Sequence, residues 1–398
     1  MKESDIALVA EKHGQLDGLL PGLEADAWLV LSRENSDDST LLFSGIEMVG
    51  ESAFLFTRDG GKHAVIADYD VAAIEVSGQF DIVPYGKEGF LEPLTALLER
   101  VAPDTLALNF SEGDPLADGL TVGLLERLRK AWRVDRFDER ISSAKPLLDE
   151  LRSQKSPEEL RRIREAIRIT ELVLDELGEW LAPGRTEIEA AAFVKERQRH
   201  YGVTHSFGDG ANVMVGHVGM GHRPASDAAV TRGDVVVVDM GVYFEGYTSD
   251  IQRTWYVLRE GESAPPPEIQ HRFVTGRDAM HEAIAAIRPG VRGFEVDAIA
   301  RRHLEENGIP AYTHALGHQI GRNVHDGGTT LAPLNARYGE RGLPELRAGE
   351  VYTVEPVVHG RTGVDGAPIG HEQDVLVTED GVEVLSTSLQ AMPLVRGS

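Results

Sequence analysis

The segment Val235-Val236-Val237-Val238-Asp239-Met240-Gly241, followed by Tyr247-Thr248-Ser249-Asp250, is the most informative part of the chain. A run of uncharged β-branched residues predicts a buried strand. Asp239 ends that run where an apolar side chain is expected, and a carboxylate is seldom buried without a partner. Asp250 follows eleven residues later, after a turn at Glu245-Gly246 and within a second predicted strand over 248–257. Because two carboxylates brought together by a hairpin repel each other, the sequence predicts a positive charge between them.

The size and charge of the chain set limits on its function. Its 398 residues exceed what one ordinary core accommodates and predict two domains. The formal net charge of −25 disfavours nucleic acid and anionic membrane surfaces as partners, because both are polyanions. The amino terminus lacks an apolar signal core, and no run approaches the length of a membrane span. We therefore expect a cytoplasmic protein that binds neither nucleic acid nor membranes.

Two regions of different character make up the chain. Residues 1–153 alternate short apolar runs with helix-like segments such as 114–132, which predicts an α/β domain. We find no cluster of His, Asp and Glu there and expect a scaffold or an oligomerisation domain. Residues 154–398 open with predicted helices over 157–182 and 187–201 and continue with strands interrupted by two more helices, which predicts an α+β domain. This order of elements suggests an internal duplication.

Three more residues join the two aspartates as a candidate metal centre. The chain has no cysteine, which excludes disulfide bonds and thiolate ligands, so any metal must be held by His, Asp and Glu. The three candidates stand in apolar or glycine-rich settings: His318, Glu355 and Glu372. Each alone has an ordinary structural explanation, such as a salt-bridging acid or a core histidine. Together with Asp239 and Asp250 they suit two divalent ions, with Mn²⁺ the first choice and Co²⁺, Fe²⁺ or Zn²⁺ as alternatives.

Five motifs resemble the family of prolidase, aminopeptidase P and methionine aminopeptidase. They are Asp239-Met240-Gly241, Gly246-Tyr247-Thr248-Ser249-Asp250-Ile251-Gln252-Arg253-Thr254, Gly317-His318-Gln319-Ile320-Gly321, Thr353-Val354-Glu355-Pro356 and the later Glu372. The resemblance covers about residues 155–390 and includes the order and spacing of all five candidate ligands. It implies the pita-bread fold, an α+β body with pseudo-twofold symmetry. The preceding α/β unit resembles the N-terminal domain of the prolidase and aminopeptidase P branch, so the predicted domains are 1–153 and 154–398.

The resemblance implies a role for each candidate metal ligand. Asp239 and Asp250 would bind one ion, and His318 and Glu355 would bind the second. Asp250 and Glu372 would bridge the two ions. A metal-bridging hydroxide would then attack the scissile carbonyl, while Glu355 carries its proton to the leaving amine. The expected activity is hydrolysis at proline, with Xaa-Pro dipeptides as the first substrates to test, and the expected assembly is a homodimer.

The resemblance also implies residues that contact the substrate. His222 and His325 would donate hydrogen bonds to the substrate carbonyl or to the tetrahedral intermediate. His325 is followed by Asp326, where the family usually has glutamate. This difference does not affect the five candidate ligands.

One departure from the family leaves the substrate open. Many relatives carry an arginine two residues before the last ligand glutamate, where this chain has Gly370, and the often acidic residue after that glutamate is Gln373. An arginine at such a position grips a substrate carboxylate, a task for which other side chains are poor replacements. Arg361, between the two glutamates, is the substrate-binding residue we favour in its place. The other candidates are Arg322, Arg337 and His371.

Several alternative functions follow from this departure. An aminopeptidase P would release the residue before proline from longer peptides, and another proline-directed exopeptidase or a non-peptide amidohydrolase would use the same chemistry. A metal-free relative of the creatinase type is a separate class. Because such relatives are expected to have lost some of the ligands and all five are present here, the metal-free class is disfavoured.

Overall fold

The computed structural model describes residues 2–208, 210–216, 223–359 and 367–396. The chain divides into two compact units, Met1–Arg152 with Ser156–Glu158, and Ser153–Lys155 with Glu159–Ser398. Each unit has its own sheets and its own hydrophobic core. Across the described ranges, no helix combines the length and the apolar character needed to cross a membrane.

The first unit is built on a six-stranded mixed sheet with the order β4-β3-β2-β1-β5-β6. Its strands are β1 (Ala27–Ser32), β2 (Ser52–Thr57), β3 (Lys62–Ala67), β4 (Asp81–Tyr85), β5 (Leu106–Leu108) and β6 (Ile141–Ser143). Its helices are α1 (Glu3–Leu19), α2 (Thr40–Ser44), α3 (Val71–Glu75), α4 (Leu91–Val101), α5 (Val122–Ala131) and α6 (Lys145–Ser153). Both faces of β1 are covered, because Trp28 and Val30 join one core cluster whereas Leu29 and Leu31 join another. The predicted α/β character of this region is confirmed.

The helix predicted over 114–132 is wrong in its first half. A short 3₁₀ turn spans Pro115–Ala117, and α5 begins only at Val122. Thr121 precedes α5, and its side chain accepts a hydrogen bond from the backbone N–H of Leu124 as an N-cap. Short polar side chains of this kind favour caps over helix interiors, and the apolar pattern alone does not report that preference.

The second unit contains helices in two pairs, each pair followed by antiparallel strands. The helices are α7 (Pro157–Trp180), α8 (Glu187–His200), α9 (Pro267–Ala286) and α10 (Gly293–Glu306). The strands are β7 (Thr204–His205), β8 (Asn212–Val215), β9 (Val235–Met240), β10 (Val242–Phe244), β11 (Tyr247–Thr248), β12 (Ile251–Val257), β13 (Val351–Val354), β14 (Val357–Val358), β15 (Ile369–Gly370), β16 (Gln373–Val377), β17 (Val382–Val384) and β18 (Leu394–Val395). One sheet has the order β18-β12-β9-β8 and another the order β13-β16-β17. This repetition of helix pair and sheet agrees with the duplication suggested by the sequence.

The valine-rich segment forms the predicted hairpin. Strands β9 and β12 pair antiparallel, with Asp239 directly opposite Gln252. Val235 and Val237 pack in the core of the second unit. Because side chains alternate along a strand, Asp239 leaves β9 on the same face as these two valines. The carboxylate therefore lies at the edge of the core.

The second strand of this hairpin is interrupted, contrary to the prediction of a strand over 248–257. The pairing of β11 ends at Thr248, and β12 begins only at Ile251. Asp250 lies in the gap between them and is 6% exposed. Outside the ladder, its side-chain direction is set by tertiary contacts instead of by strand pairing.

The turn between β10 and β11 is fixed by the long helix α7. Glu245 has φ +48° and Gly246 has φ +82°, the left-handed conformation that tight hairpin turns require. The guanidinium of Arg162 on α7 donates a 2.7 Å hydrogen bond to the backbone oxygen of Glu245. The hydroxyl of Tyr247 donates a 2.9 Å hydrogen bond to Glu159. Helix α7 thus holds the hairpin that carries both aspartates.

Glu187, the first residue of α8, is fully buried and fully hydrogen-bonded. It accepts two 2.7 Å hydrogen bonds from Arg223, and others from the backbone of Val215 and from the backbone and hydroxyl of Ser226. Burial raises the pKa of Glu187, but the hydrogen bonds from Arg223 and Ser226 outweigh it and lower the pKa to about 2. The ionised carboxylate ties α8 to β8 and to the segment that precedes β9.

We expect Arg223→Met to destabilise the protein by about 3 kcal/mol, because it leaves a buried carboxylate without its cation. The ordinary pKa of Glu187 is 4.5 and the folded-state value is about 2, so the contribution of the ionised group is complete above 4.5 and is lost as the pH falls towards 2. The destabilisation should therefore be largest near neutral pH and shrink on acidification. Urea unfolding at about pH 7 and about pH 4 measures both effects.

Arg168→Met is the matched control, because Arg168 pairs with Glu165 at 2.7 Å on an exposed helix face. Its expected effect is within about 0.5 kcal/mol. Equal losses for the two substitutions would contradict the role assigned to burial.

Candidate metal centre

Three of the predicted metal ligands converge at the hairpin. One carboxylate oxygen each from Asp239, Asp250 and Glu372 lies within 4.8 Å of the other two. Asp239 is the penultimate residue of β9, Asp250 lies between β11 and β12, and Glu372 immediately precedes β16. Carboxylates have only acceptors, so Asp239 and Asp250 at this separation repel each other unless a proton or a cation lies between them.

The other two predicted ligands stand beside this cluster. The Nε2 atom of His318 lies 3.4 Å from Glu355 Oε1 and 3.7 Å from Asp250 Oδ2. His318 is held next to β13, because its backbone oxygen accepts a 2.9 Å hydrogen bond from Thr353 N–H. Glu355 directly follows β13. The structure thus brings all five predicted residues together from four separate parts of the chain.

The pKa values of the acidic residues in the cluster are shifted by burial and by their neighbours' charges. Burial, followed by the charge of Glu355, raises the pKa of Asp239 to about 7. Burial and neighbouring carboxylates also raise the pKa values of Asp250 and Glu372 well above their ordinary values. For Glu355 burial opposes ionisation, but the hydrogen bond and charge of His318 outweigh it and lower the pKa. Without added positive charge, the centre cannot keep all its carboxylates ionised at neutral pH.

A divalent cation fits this donor set. Asp250 Oδ1 and Glu372 Oε1 are buried and have no hydrogen-bond partner among the residues that the structure describes. Buried polar oxygens are normally paired, so two such oxygens in one cluster leave coordination positions for an ion. The set holds four carboxylates and one imidazole, which suits Mn²⁺ and similar ions.

The loop between His318 and His325 brings two histidine rings together. Their centroids lie 4.2 Å apart, and His325 is exposed. The next residue, Asp326, is buried and forms a 2.9 Å ion pair with Lys155, whose side chain is fully buried. The backbone N–H of Asp326 also donates to Gln319. Asp326, which stands where the family usually has glutamate, is therefore part of a buried ion pair that anchors the loop carrying His325.

The predicted substrate-binding residues have different outcomes. His222 and Arg361 lie outside the described residues. Arg322 lies over the Tyr247 ring at 5.6 Å, and Arg337, which is exposed, lies over the ring of Tyr338 at 5.3 Å.

His371 is buried against Phe273, with ring centroids 4.6 Å apart. Burial, followed by the charge of Arg253, lowers the pKa of His371 to about 3, so the ring is neutral at physiological pH. A neutral, buried imidazole cannot grip a substrate carboxylate as arginine does. His371 is thereby removed from the candidates for that role.

Sequence reasoning missed three polar residues that contact the centre. Asn212 on β8 and Gln252 on β12 flank Asp239 on its two neighbouring strands. Asn212 donates a side-chain hydrogen bond to Asp239. Asp374 is fully buried and accepts a 3.4 Å hydrogen bond from the backbone N–H of Asp250. Counting the register outward from Asp239 would have found Gln252, whereas Asn212 and Asp374 have no signal of their own in the sequence.

Comparison with known proteins identifies the class. Residues 161–379 match the model of metallopeptidase family M24. An uncharacterized peptidase of Staphylococcus aureus is 31% identical over 271 residues, which are 68% of this chain and 72% of that protein. The uncharacterized peptidase YqhT of Bacillus subtilis is 28% identical over 382 residues, 95% of this chain and 98% of that protein. The chain belongs to metallopeptidase family M24.

Solved structures agree with this assignment. A Xaa-Pro dipeptidase from Bacillus anthracis superposes with a TM-score of 0.79 at 23% identity and covers 97% of this chain and 100% of that one. An X-Pro aminopeptidase from Thermotoga maritima superposes with a TM-score of 0.75 at 26% identity, with coverage of 96% and 99%. The predicted fold, an α/β N-terminal domain followed by an α+β pita-bread domain, is confirmed. The protein is thus a metallopeptidase of the Xaa-Pro peptidase branch, and members of its family use divalent metals.

Removing one carboxylate from the cluster should lower the metal affinity more than removing the exposed His325 does. We expect Asp250→Asn and Glu372→Gln each to weaken Mn²⁺ binding by more than about 100-fold, since each loses a negatively charged oxygen at a buried cation site. His325→Ala should retain most of the bound metal. Calorimetric titration of metal-stripped protein with MnCl₂ measures all three. Loss of both ions in His325→Ala would contradict the assignment of that residue to the substrate.

Proposed function

We propose that this metallopeptidase hydrolyses Xaa-Pro dipeptides, with two divalent ions held by Asp239, Asp250, His318, Glu355 and Glu372. The observation that carries the proposal is the convergence of these five side chains in one cluster, in which Asp250 and Glu372 are buried. The similarity to a Xaa-Pro dipeptidase over nearly the whole chain supports the choice of substrate. Mn²⁺ is the ion we favour for this oxygen-rich set, ahead of Co²⁺, Fe²⁺ and Zn²⁺.

The protein side chains have separate tasks in this proposal. The chemistry supplied by the divalent ions, when bound, is Lewis acidity and a lowered pKa of water. Glu355 is the proton carrier, because its side chain is 22% exposed and the adjacent His318 lowers its pKa below the ordinary value despite burial. An ionised carboxylate in that position accepts a proton at neutral pH and delivers it to the leaving amine.

The substrate carbonyl is assigned to the histidines. The exposed ring of His325 lies 4.2 Å from the ring of His318 and so stands next to the cluster. A hydrogen bond from His325 to the carbonyl oxygen stabilises the negative charge that develops there. His222 is proposed for the same task and Arg361 for a substrate carboxylate, both on the basis of the sequence.

An aminopeptidase acting on longer peptides is the second candidate. It is supported by the 26% identity to an X-Pro aminopeptidase along almost the full length of both chains. Gly370 also supports it, because glycine offers no cationic side chain for the carboxylate of a dipeptide and its N–H already donates to Thr254. The two candidates share every catalytic step and differ in the length of peptide that follows proline.

The assembly and the location of the enzyme are also proposals. We propose a cytoplasmic homodimer with a domain boundary between 153 and 154, as the family resemblance implies. Size-exclusion chromatography with light scattering measures the oligomeric state in solution.

We expect Mn²⁺-loaded protein to cleave Xaa-Pro dipeptides and to leave matched Xaa-Ala dipeptides intact. Liquid chromatography of the products, with tripeptides Xaa-Pro-Yaa and amino- and carboxyl-blocked versions in the same series, identifies the recognised terminus. Faster cleavage of the tripeptides would favour the aminopeptidase. Absence of cleavage of all proline peptides with Mn²⁺, Co²⁺ and Zn²⁺ would refute the proposed function.

Glu355→Gln provides the control for background peptidase. It should lower kcat by about 10²–10⁴-fold, the usual contribution of a general acid–base group, because the amide cannot accept the proton. An activity that persists unchanged in Glu355→Gln comes from another protein or another site.

A further inference from the structure

Three consecutive residues of β12 contact the segment that ends at Glu372. The hydroxyl of Thr254 accepts a 3.1 Å hydrogen bond from the N–H of Gly370 and donates a 2.8 Å hydrogen bond to its carbonyl oxygen. The guanidinium of Arg253 donates a 2.8 Å hydrogen bond to the backbone oxygen of Glu372. Gln252 contacts the same segment through its side chain. Strand β12 therefore holds the backbone on both sides of His371.

The side chain of Gln252 occupies the space that a side chain at position 370 would need. A Cβ atom added to Gly370 would overlap both the Oε1 and the Cδ atoms of Gln252. Gln252 is 2% exposed, and its Oε1 atom has no hydrogen-bond partner within the part of the chain that the structure describes. The carboxamide is thus held in this place by packing instead of by a hydrogen bond to Oε1. Glycine at position 370 is required because Gln252 occupies its side-chain volume.

The carboxamide has little room to move elsewhere. The cavity beside it, which Phe273, His371 and Leu389 help to line, has a volume of about 10 Å³. That is about enough for one water molecule and too little for a displaced carboxamide. Gln252 on β12 lies directly opposite Asp239 on β9. Rotation of the carboxamide towards β9 therefore moves it towards a proposed metal ligand. Any side chain at position 370 must therefore displace either the Gly370 segment or the cluster itself.

The Gly370 segment connects to two of the proposed ligands. Gly370 on β15 pairs with Val357 on β14, which begins two residues after Glu355. In the other direction Glu372 follows Gly370 by two residues. A shift of Gly370 consequently changes the positions of Glu355 and Glu372.

We propose that Gln252 is a positioning residue for the metal centre, which fills the side-chain volume of Gly370 and thereby fixes the segment that carries Glu372. This inference rests on the proposed role of Glu372 as a metal ligand. Gln252 and Gly370 are matched in size. A larger residue at position 370 is therefore compensated by a smaller residue at position 252. Residues that orient metal ligands typically contribute tenfold to a hundredfold to metal affinity.

The test is a double-mutant cycle with metal affinity as its readout. Gly370→Ala should weaken the binding of Mn²⁺ to metal-stripped full-length protein by at least about tenfold, measured by calorimetric titration. Gln252→Ala, which removes the packing, should weaken it by a similar factor. The double variant Gln252→Ala with Gly370→Ala should recover most of the affinity, because the new methyl group then enters vacated space. Gly381→Ala is the matched control and should bind Mn²⁺ like the wild type, since a Cβ atom there meets no atom within 4 Å.

Thermal unfolding of each variant separates positioning from folding. A Gly370→Ala variant that fails to fold, while the double variant folds and binds Mn²⁺, also supports the size match. Wild-type affinity in Gly370→Ala, or a double variant that binds Mn²⁺ no better than Gly370→Ala or fails to fold, overturns the inference. If wild-type protein binds Mn²⁺ and the cycle behaves as expected but no proline peptide is cut, the proposed function fails and the inference stands. If proline peptides are cut and the cycle shows no coupling, the inference alone fails.

Discussion

Asp239, Asp250 and Glu372 are held with their oxygens within 4.8 Å of one another, and Asp250 and Glu372 are buried. Burial and mutual repulsion both oppose ionisation of such a group, and together they raise the pKa values of all three acids. Within the described residues His318 and the side-chain amide of Asn212 are partners of the cluster, and two of the oxygens have no hydrogen-bond donor there. The second unit thus contains a carboxylate cluster whose negative charge bound cations would balance.

Glu187 is a buried carboxylate of the same unit that has its own hydrogen-bond donors. Glu187 is also buried, yet Arg223, Ser226 and the backbone of Val215 donate to it, and its pKa is lowered instead of raised. The same fold therefore contains one buried carboxylate that the protein itself neutralises. Among the described residues Asn212 donates to Asp239, but Asp250 Oδ1 and Glu372 Oε1 lack hydrogen-bond donors. A purely structural role for the cluster would require them.

Much of the fold and of the centre could be predicted from the sequence, because the relevant signals are local. The valine run preceding Asp239 identifies a buried strand, and the glycine-rich settings of His318 and the proline after Glu355 mark the ends of elements. What the sequence could not provide depends on contacts between distant segments. The anchor between Lys155 and Asp326 joins residues 171 positions apart, and neither residue has a pattern that announces the other. The interruption of β12 before Ile251 and the cap at Thr121 are likewise decided by packing and by single hydrogen bonds, which periodicity does not record.

Asp250 Oδ1 and Glu372 Oε1, which have no hydrogen-bond partner among the residues that the structure describes, have a consequence for the lifetime of the protein in a cell. The ligands come together only in the folded chain, so a metal that binds them stabilises the folded state, by about 2.7 kcal/mol at roughly one hundred times its dissociation constant. The metal supply then governs how much folded protein survives, in addition to how fast each molecule works. Under metal starvation such a peptidase becomes a better substrate for the cell's own proteases, and its abundance falls together with its activity.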